Sequence, residues 1–164
     1  MEPLTTDHVQ QALDARVSGV RIRIFEASTA TSALAAAALG CALGQIAKSI
    51  CFLVEDQPVL VVASGDQQVD DRKIAAALNV SRKRVKLAKA EECLRIWGFA
   101  PGGVPPLGHR TPMKHTFLDQ MLRRYDVIYA AGGSADSIFP LTLAQLELVT
   151  GGQWLDTARA VESS

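Results

Sequence analysis

The chain has 164 residues, 48 % of them hydrophobic and 21 % charged, with a formal net charge of zero. That is the composition of one soluble globular domain spanning residues 1–164, long enough for a single sizeable core. It shows no internal repeat or low-complexity tail, and its N-terminus lacks the basic-then-apolar pattern of an export signal, so a cytoplasmic protein with no membrane partner is expected.

Thr6 or Asp7 caps a first amphipathic helix predicted to run to about Val17, and Val20–Phe25 alternates as a half-exposed strand. Residues 30–39 are alanine-rich and helical by propensity, with Gly40 closing them. The uncharged stretch Ala27–Ala47 that contains them has few large aliphatics and two glycines. A bilayer span wants about 20 predominantly apolar residues, so it reads as a buried helix and turn. Ile46–Val54 is a strand, turning through residues 55–58 into a second strand at Val59–Ala63. Asp70-Asp71 lead a helix that ends at Asn79. Arg84–Leu87 reads as a short strand, and Glu91–Trp97 as a helix stopped by Gly98. Phe117–Arg124 is either helical or a short strand followed by a turn. Asp126–Ala131 and Ser137–Phe139 are strands, and Thr142 caps a helix to Val149. Strands and helices mix without strict alternation, which predicts an α+β domain with a mixed sheet.

The chemistry-bearing motifs of common enzyme classes are missing. Cys41, Cys51 and Cys93 form no CxxC pair and read as reduced, buried residues. His8, His109 and His115 fit no zinc spacing, and no Walker loop, GxGxxG or GxSxG is present. No metal, nucleotide cofactor or serine triad is expected.

One residue breaks its surroundings. Lys48 lies inside the apolar strand, and a period of two puts it on one side with Ile46, Ile50, Phe52 and Val54. Desolvating an unpaired ammonium costs several kcal/mol. Either the stem snorkels to the sheet edge, or a cleft opens beside it and a polarised ligand meets the amine. The loop Gly98–Gly108 holds paired glycines followed by stiffening prolines. It is either a structural turn or a cradle of backbone donors. Arg82, Lys83, Arg84, Lys86 and Lys89 make a basic run, either a solvated face or a phosphate-backbone contact. His109 and Arg110, just past the loop, are either polar groups that support the site from behind or purely structural, and Ser134 and Asp136 after Gly132-Gly133 either line the same cleft or are turn residues. Aromatic residues are only 5 % of the chain, without a stacking pattern, so sequence-specific reading of single strands is not expected.

The order Gln45-Ile46-Ala47-Lys48-Ser49-Ile50, then Gly102-Gly103-Val104-Pro105-Pro106-Leu107-Gly108, then Tyr129-Ala130-Ala131-Gly132-Gly133, resembles the YbaK/ProX family. These are bacterial trans-editing aminoacyl-tRNA deacylases, related to the editing insertion domain of bacterial prolyl-tRNA synthetase. The similarity covers about residues 20–157. It implies a curved mixed sheet flanked by helices, and hydrolysis of the ester joining a wrong amino acid to the terminal adenosine of tRNA, without a cofactor. It places the family lysine on Lys48 and the GxxxP loop on Gly102–Pro106, with Gly102 and Gly103 as catalytic backbone. Substrate contacts fall on Phe25, Ser49, Val104, Pro105, Pro106, His109, Ala131, Gly132, Ser134 and Asp136, and the basic run becomes a tRNA contact. Mischarged tRNA is the implied partner, with an aminoacyl-tRNA synthetase as a second candidate.

There are departures from the family pattern. Pro105 stands where the family often has Ser, Ser49 replaces a frequent Thr, and Ala131 and Ile138 replace the Ser and Asp expected of the cysteine-clearing branch. A less polar pocket follows, fitting a small amino acid (Ala, Ser, Cys or 2-aminobutyrate), with alanine or another small aliphatic one favoured. The alternatives are a non-catalytic tRNA- or synthetase-binding module and a small-ligand binding protein.

Overall fold

The computed structural model describes residues 1–160. Its first helix, α1 (Thr6–Asp14), is shorter than its periodicity predicts. The amides of Arg16 and Val17 both turn onto the carbonyl of Leu13, which ends it. The strand predicted at residues 20–25 shrinks to β1 (Arg23–Ile24). The cause is Gln10 of α1, whose amide nitrogen donates to the Val20 carbonyl while its oxygen accepts from the Ile22 N–H. A side chain there takes the backbone groups that a neighbouring strand would otherwise pair.

Helix α2 (Ser32–Leu39) starts where Thr31 Oγ1 accepts from the Leu34 N–H at 3.1 Å and stops at Gly40, which is left-handed at φ 67°. Strands β2 (Ile46–Val54) and β3 (Gln57–Ser64) form the central antiparallel hairpin. Its turn is tighter than the sequence suggests, because Val54 pairs with Gln57 and only Glu55 and Asp56 remain in the loop. Both have positive φ, 50° and 65°, as a twist-matched two-residue turn requires.

Helix α3 (Asp71–Leu78) is capped by Asp70 and closed by Asn79 in the left-handed region. A 3₁₀ turn at Arg82–Arg84 leads into β4 (Val85–Leu87). The helix expected at residues 91–97 is only one turn, α4 (Ala90–Glu92), followed by a π turn, Cys93–Trp97, that closes through Gly98 N–H to Cys93 O. At residues 117–124 the strand-then-turn alternative holds, with β5 (His115–Asp119) followed by 3₁₀ Gln120–Arg124. Strands β6 (Val127–Ala131) and β7 (Ser137–Thr142), helix α5 (Leu143–Thr150) and β8 (Gln153–Leu155) complete the domain. The last strand carried no strong sequence signal.

The strands make one mixed sheet in the order β1-β7-β6-β2-β3-β5-β8, with β4 joined to β2 off this path. One face packs Leu60, Val62, Leu118 and Ile128 against Val9 and Leu13 of α1, Trp97, Phe99 and Leu146 of α5. Burying a phenyl ring such as that of Phe99 contributes on the order of 2–3 kcal/mol. The other face packs Phe52, Val59, Val61, Ala63 and Phe117 against Ile74 and Ala75 of α3. A smaller cluster sets Ala35 and Ala36 of α2 on Ile46 and Ile138. The α+β mixed-sheet expectation is borne out. Among the described residues no helix is long and apolar enough to cross a membrane.

The hairpin turn yields a stability test. A non-glycine residue in the left-handed region costs about 1 kcal/mol. The double change Glu55→Asn, Asp56→Gly is therefore expected to raise the denaturant midpoint, at the small loss of the exposed 4.0 Å pair between Glu55 and Arg84. An unchanged or lowered midpoint would show that the turn is not strained.

Candidate active site

Strand β2 pairs with β3 along nearly its whole length, but its other edge is divided. Ile46 and Ala47 pair in parallel with Tyr129 and Ala130 of β6, whereas Phe52, Leu53 and Val54 pair antiparallel with β4. Between them the edge at residues 48–50 has no strand partner among the described residues. The Cys51 carbonyl accepts from Ala88 N–H on this side at 2.9 Å, while the Ile46 carbonyl accepts from Gly65 on the β3 side. Backbone direction alternates along a strand, so the N–H and C=O of Ser49 point out into the gap. Its Oγ is buried and has no hydrogen-bond partner among the described residues.

A cavity of about 260 Å³ opens at this gap. Lys48, Ser49 and Ile50 form one wall, and Gly102 and Val104 of the glycine loop form another. Thr29, Thr31 and Ser32 at the start of α2 add hydroxyls. Ala35, Ile46, Ala131 and Ile138 make an apolar end, beside Tyr129.

Lys48 is half-buried on the side of the sheet that the period of two assigns to it, and both sequence alternatives hold in part. It lines the cavity, while Nζ donates to the Gln67 carbonyl at 2.5 Å. The register explains how the stem lies. Lys48 is opposite Ala63, and one step beyond the Val62–Leu118 pair Asp119 sits beside Ala63, so a lysine stem crosses a small residue toward a carboxylate. Asp119 is fully buried, and its Oδ2 has no partner among the described residues. Burial pushes the Lys48 ammonium below its ordinary value, and the charges of Asp66 and Asp119 oppose that fall.

Asp66 is itself held by Arg124, with contacts of 2.7 and 2.9 Å, and this pairing lowers its carboxyl to about 2, helped by Gln67 and Ser64. The Asp66–Arg124 pair thus fixes the turn that presents Gln67 to the lysine.

The two adjacent glycines face different ways. Gly102 has φ 92° and lines the cavity, and a Cβ there would lie 3.1 Å from Ala30 Cβ. Among the described residues its N–H donates to no protein acceptor. The Gly103 N–H is taken by the Ala100 carbonyl at 3.1 Å, and a Cβ on it would press on the Ser134 backbone at 3.0 Å. Of the paired glycines, Gly102 is the one that faces the cavity.

Other residues singled out by the sequence lie around this centre. Ser49, Val104 and Ala131 line the cavity, and Phe25 stands one layer behind it, packed on the Ala35–Ile138 cluster under Arg23. Ser134 and Asp136 occupy the outer side of the loop. There Ser134 Oγ donates to Asp136 Oδ1 at 2.6 Å and contacts Ser137 Oγ, so the turn reading describes them. Gly132 donates to the Ser137 carbonyl and leaves no room for a Cβ against Ile22. Pro105 is buried, and its carbonyl is 2.7 Å from His109 Nε2, which anchors the loop from behind; burial pushes the His109 pKa down. Pro106 and His109 border a different recess, and Arg110 bonds the carbonyls of Leu94 and Glu2. In the basic run Arg82 pairs with Asp71 and Arg84 with Glu55. Lys83, Lys86 and Lys89 are exposed and form no ion pair among the described residues.

The α2 start and Tyr129 were missed. Thr31 three residues before Leu34 is a legible cap, but nothing local shows that this helix end faces Lys48. Of the cysteines, Cys51 and Cys93 are buried as expected, while Cys41 is only partly so. No cluster of metal-ligating side chains occurs among the described residues.

A mixed sheet with a split central strand, a lysine and a glycine-loop amide around one cavity defines a candidate hydrolytic or ligand-binding domain. Comparison with known proteins specifies it further. Residues 26–148 match the aminoacyl-tRNA editing domain, and the chain belongs to that family. It is 34 % identical to the uncharacterized protein YwhH of Bacillus subtilis, over 82 % of this chain and 85 % of that one. It is 25 % identical to a proposed Cys-tRNA(Pro)/Cys-tRNA(Cys) deacylase, EbsC, of Enterococcus faecalis, over 74 % of this chain and 73 % of that one. The crystal structure of a proposed trans-editing enzyme for prolyl tRNA synthetase superposes with a TM-score of 0.88 at 36 % identity, covering 96 % of this chain and 99 % of that one.

The electrostatics of Lys48 can be measured directly. By side-chain NMR the wild-type ammonium is expected to titrate below its ordinary 10.5. Asp119→Asn removes a negative neighbour that favours the charged form, so it should move that value further down. A value unchanged or raised by Asp119→Asn would remove the carboxylate from the account.

Proposed function

We propose that the protein hydrolyses the ester of mischarged aminoacyl-tRNA in trans, clearing a small amino acid of aliphatic character, alanine or 2-aminobutyrate ahead of serine and cysteine. The observation that carries this reading is the meeting of Lys48 and Gly102 at one cavity whose far end is apolar. Family membership supports the reaction class, and the names of EbsC and of the trans-editing structure are consistent with it.

In this reading the ester carbonyl lies against Gly102, whose N–H stabilises the oxyanion as water adds to the carbonyl carbon. The side chain rests on Ala131 and Ile138, which offer no polar partner to a thiol or hydroxyl. Lys48 supplies positive charge to the ester or to the terminal phosphate. Among the described residues no carboxylate or histidine lines the cavity. The free ribose hydroxyl beside the ester therefore accepts the proton of the attacking water. The tetrahedral intermediate then collapses, the bond to the esterified ribose oxygen breaks, and that oxygen leaves with the proton that the neighbouring ribose hydroxyl took from the water. The products are the free amino acid and uncharged tRNA. Lys83, Lys86 and Lys89 contact the RNA backbone, and a synthetase is a possible companion.

The test is deacylation across tRNAs charged with alanine, serine, cysteine, threonine and 2-aminobutyrate. Wild type should clear at least one ester, alanine or 2-aminobutyrate fastest. Lys48→Ala should lower kcat/KM by about a hundredfold or more without unfolding, as loss of an electrostatic group at a reacting centre does. Gly102→Ala, with a Cβ against Ala30 at positive φ, should also lose most activity. Binding of tRNA with no turnover of any ester would instead support a non-catalytic module.

A further inference from the structure

Two thiols that the ester chemistry leaves unused lie beside the site. Cys51 stands in β2, two residues beyond Ser49 and on its side of the strand, and Cys93 opens the π turn that follows α4. Both belong to one core cluster. Both line a recess of about 210 Å³ that shares Ser49, Ile50, Gly102 and Val104 with the larger cavity. The backbone brings them together. Ala88 N–H donates to the Cys51 carbonyl at 2.9 Å, and one residue further on the Lys89 carbonyl accepts from Cys93 N–H, also at 2.9 Å. The two thiols hydrogen-bond to each other, with Cys51 donating.

We propose that Cys51 and Cys93 form a redox modification site, in which a peroxide converts the pair to a disulfide that moves the glycine loop and a thiol reductant restores it. Bond formation is independent of the editing reading above, and only its effect on turnover rests on that reading.

Buried cysteines are ordinarily inert, so access comes first. Cys51 and Cys93 keep 5 % and 4 % of their surface, and Leu87, Pro101 and Gly102 around the recess are exposed. A molecule as small as hydrogen peroxide reaches the sulfurs by that opening. Donation from Cys51 draws the Cys93 thiol below its ordinary value and pushes the Cys51 thiol up. Cys93 is therefore the nucleophile. Its sulfur attacks one peroxide oxygen, an S–O bond forms, the O–O bond breaks, and the departing hydroxide leaves as water with the proton Cys93 gave up. The Cys51 sulfur then attacks the resulting sulfenic acid. The S–S bond forms, the S–O bond breaks, and the Cys51 proton leaves with the hydroxyl as a second water. The two thiols lose two electrons, and the peroxide is reduced to two waters.

Position makes the bond consequential, because the turn Cys93–Trp97 holds both ends of the glycine loop. Gly98 N–H closes onto the Cys93 carbonyl at 2.9 Å. Beyond the loop, the N–H groups of Arg110 and Thr111 donate to the carbonyls of Trp97 and Ile96 at 2.9 and 3.0 Å. A disulfide holds its sulfurs about 2.0 Å apart, well inside the contact of two thiols. The turn is thus drawn toward β2, and the loop carrying Gly102 moves with it. Misplacing a reacting group by about 1 Å can cost about a hundredfold in rate.

The experiment treats the protein with hydrogen peroxide and then with dithiothreitol, on a Cys41→Ser background that removes the third thiol. Mass spectrometry should show the loss of two hydrogens, with the Cys51 and Cys93 peptides joined until reduction. The Gly102 amide resonance should shift on oxidation and return on reduction. In parallel, kcat/KM on the fastest ester should fall about tenfold or more and recover. Cys93→Ala should respond to peroxide in none of these readouts. Oxygenated Cys93 without a crosslink, or no reaction at either sulfur, would overturn the pair. So would a crosslink that leaves the Gly102 resonance, or the turnover of an active enzyme, unchanged. If the reduced protein clears no ester at all, the editing reading fails, while the crosslink and the Gly102 shift still decide the modification site.

Discussion

The structure depends on one interrupted edge. A central strand would ordinarily have both rows of backbone donors and acceptors filled, since buried unpaired groups are expensive. In β2 the second row is shared between a parallel neighbour at one end and an antiparallel neighbour at the other. Two strands approaching from opposite directions leave a gap where neither reaches. The gap admits a ligand-sized space into the middle of a sheet without removing strands from it. Around it stand side chains from both faces, because adjacent residues Lys48 and Ser49 point to opposite sides of the sheet.

The lysine belongs to that arrangement energetically. An amine in this position is desolvated, and the fold offsets the cost through distributed partners instead of one salt bridge. Its hydrogen bond goes to a carbonyl, that carbonyl sits in a turn braced by Asp66 and Arg124, and a second carboxylate lies across Ala63. Among the described residues no carboxylate bonds the amine directly, which leaves its charge free to act on a ligand. The glycine loop is braced in a similar indirect way, through His109 on the Pro105 carbonyl and Gly103 on Ala100.

Much of this was legible locally. Lys48 stood out because a period-two strand tolerates no cation on an apolar face without reason, and the helix closed by Gly40 followed from alanine propensity and a glycine stop. Ala131 and Ile138, singled out as departures from the family pattern, both line the cavity. What could not be read depended on distant partners. The short β1 follows from Gln10 occupying backbone groups on the far side of a turn, and β8 exists because β5 offers it a parallel edge. The opposed directions of Gly102 and Gly103, and the turn network that binds Ser134 to Asp136, come from loop geometry that residue types alone do not encode. The split of β2 is the largest such case, since it follows from two non-local pairings.

The central claim is that the gap in β2 is where the aminoacyl ester binds. A crystal structure with a non-hydrolysable analogue, an aminoacyl group amide-linked to the 3′ position of adenosine, tests it most directly. The account predicts the carbonyl oxygen within about 3 Å of the Gly102 nitrogen, hydrogen-bonding distance for an amide donor, with the amino-acid side chain against Ala131 and Ile138. An analogue bound elsewhere on the surface, with residues 48–50 of β2 still unoccupied along their open edge, would contradict it.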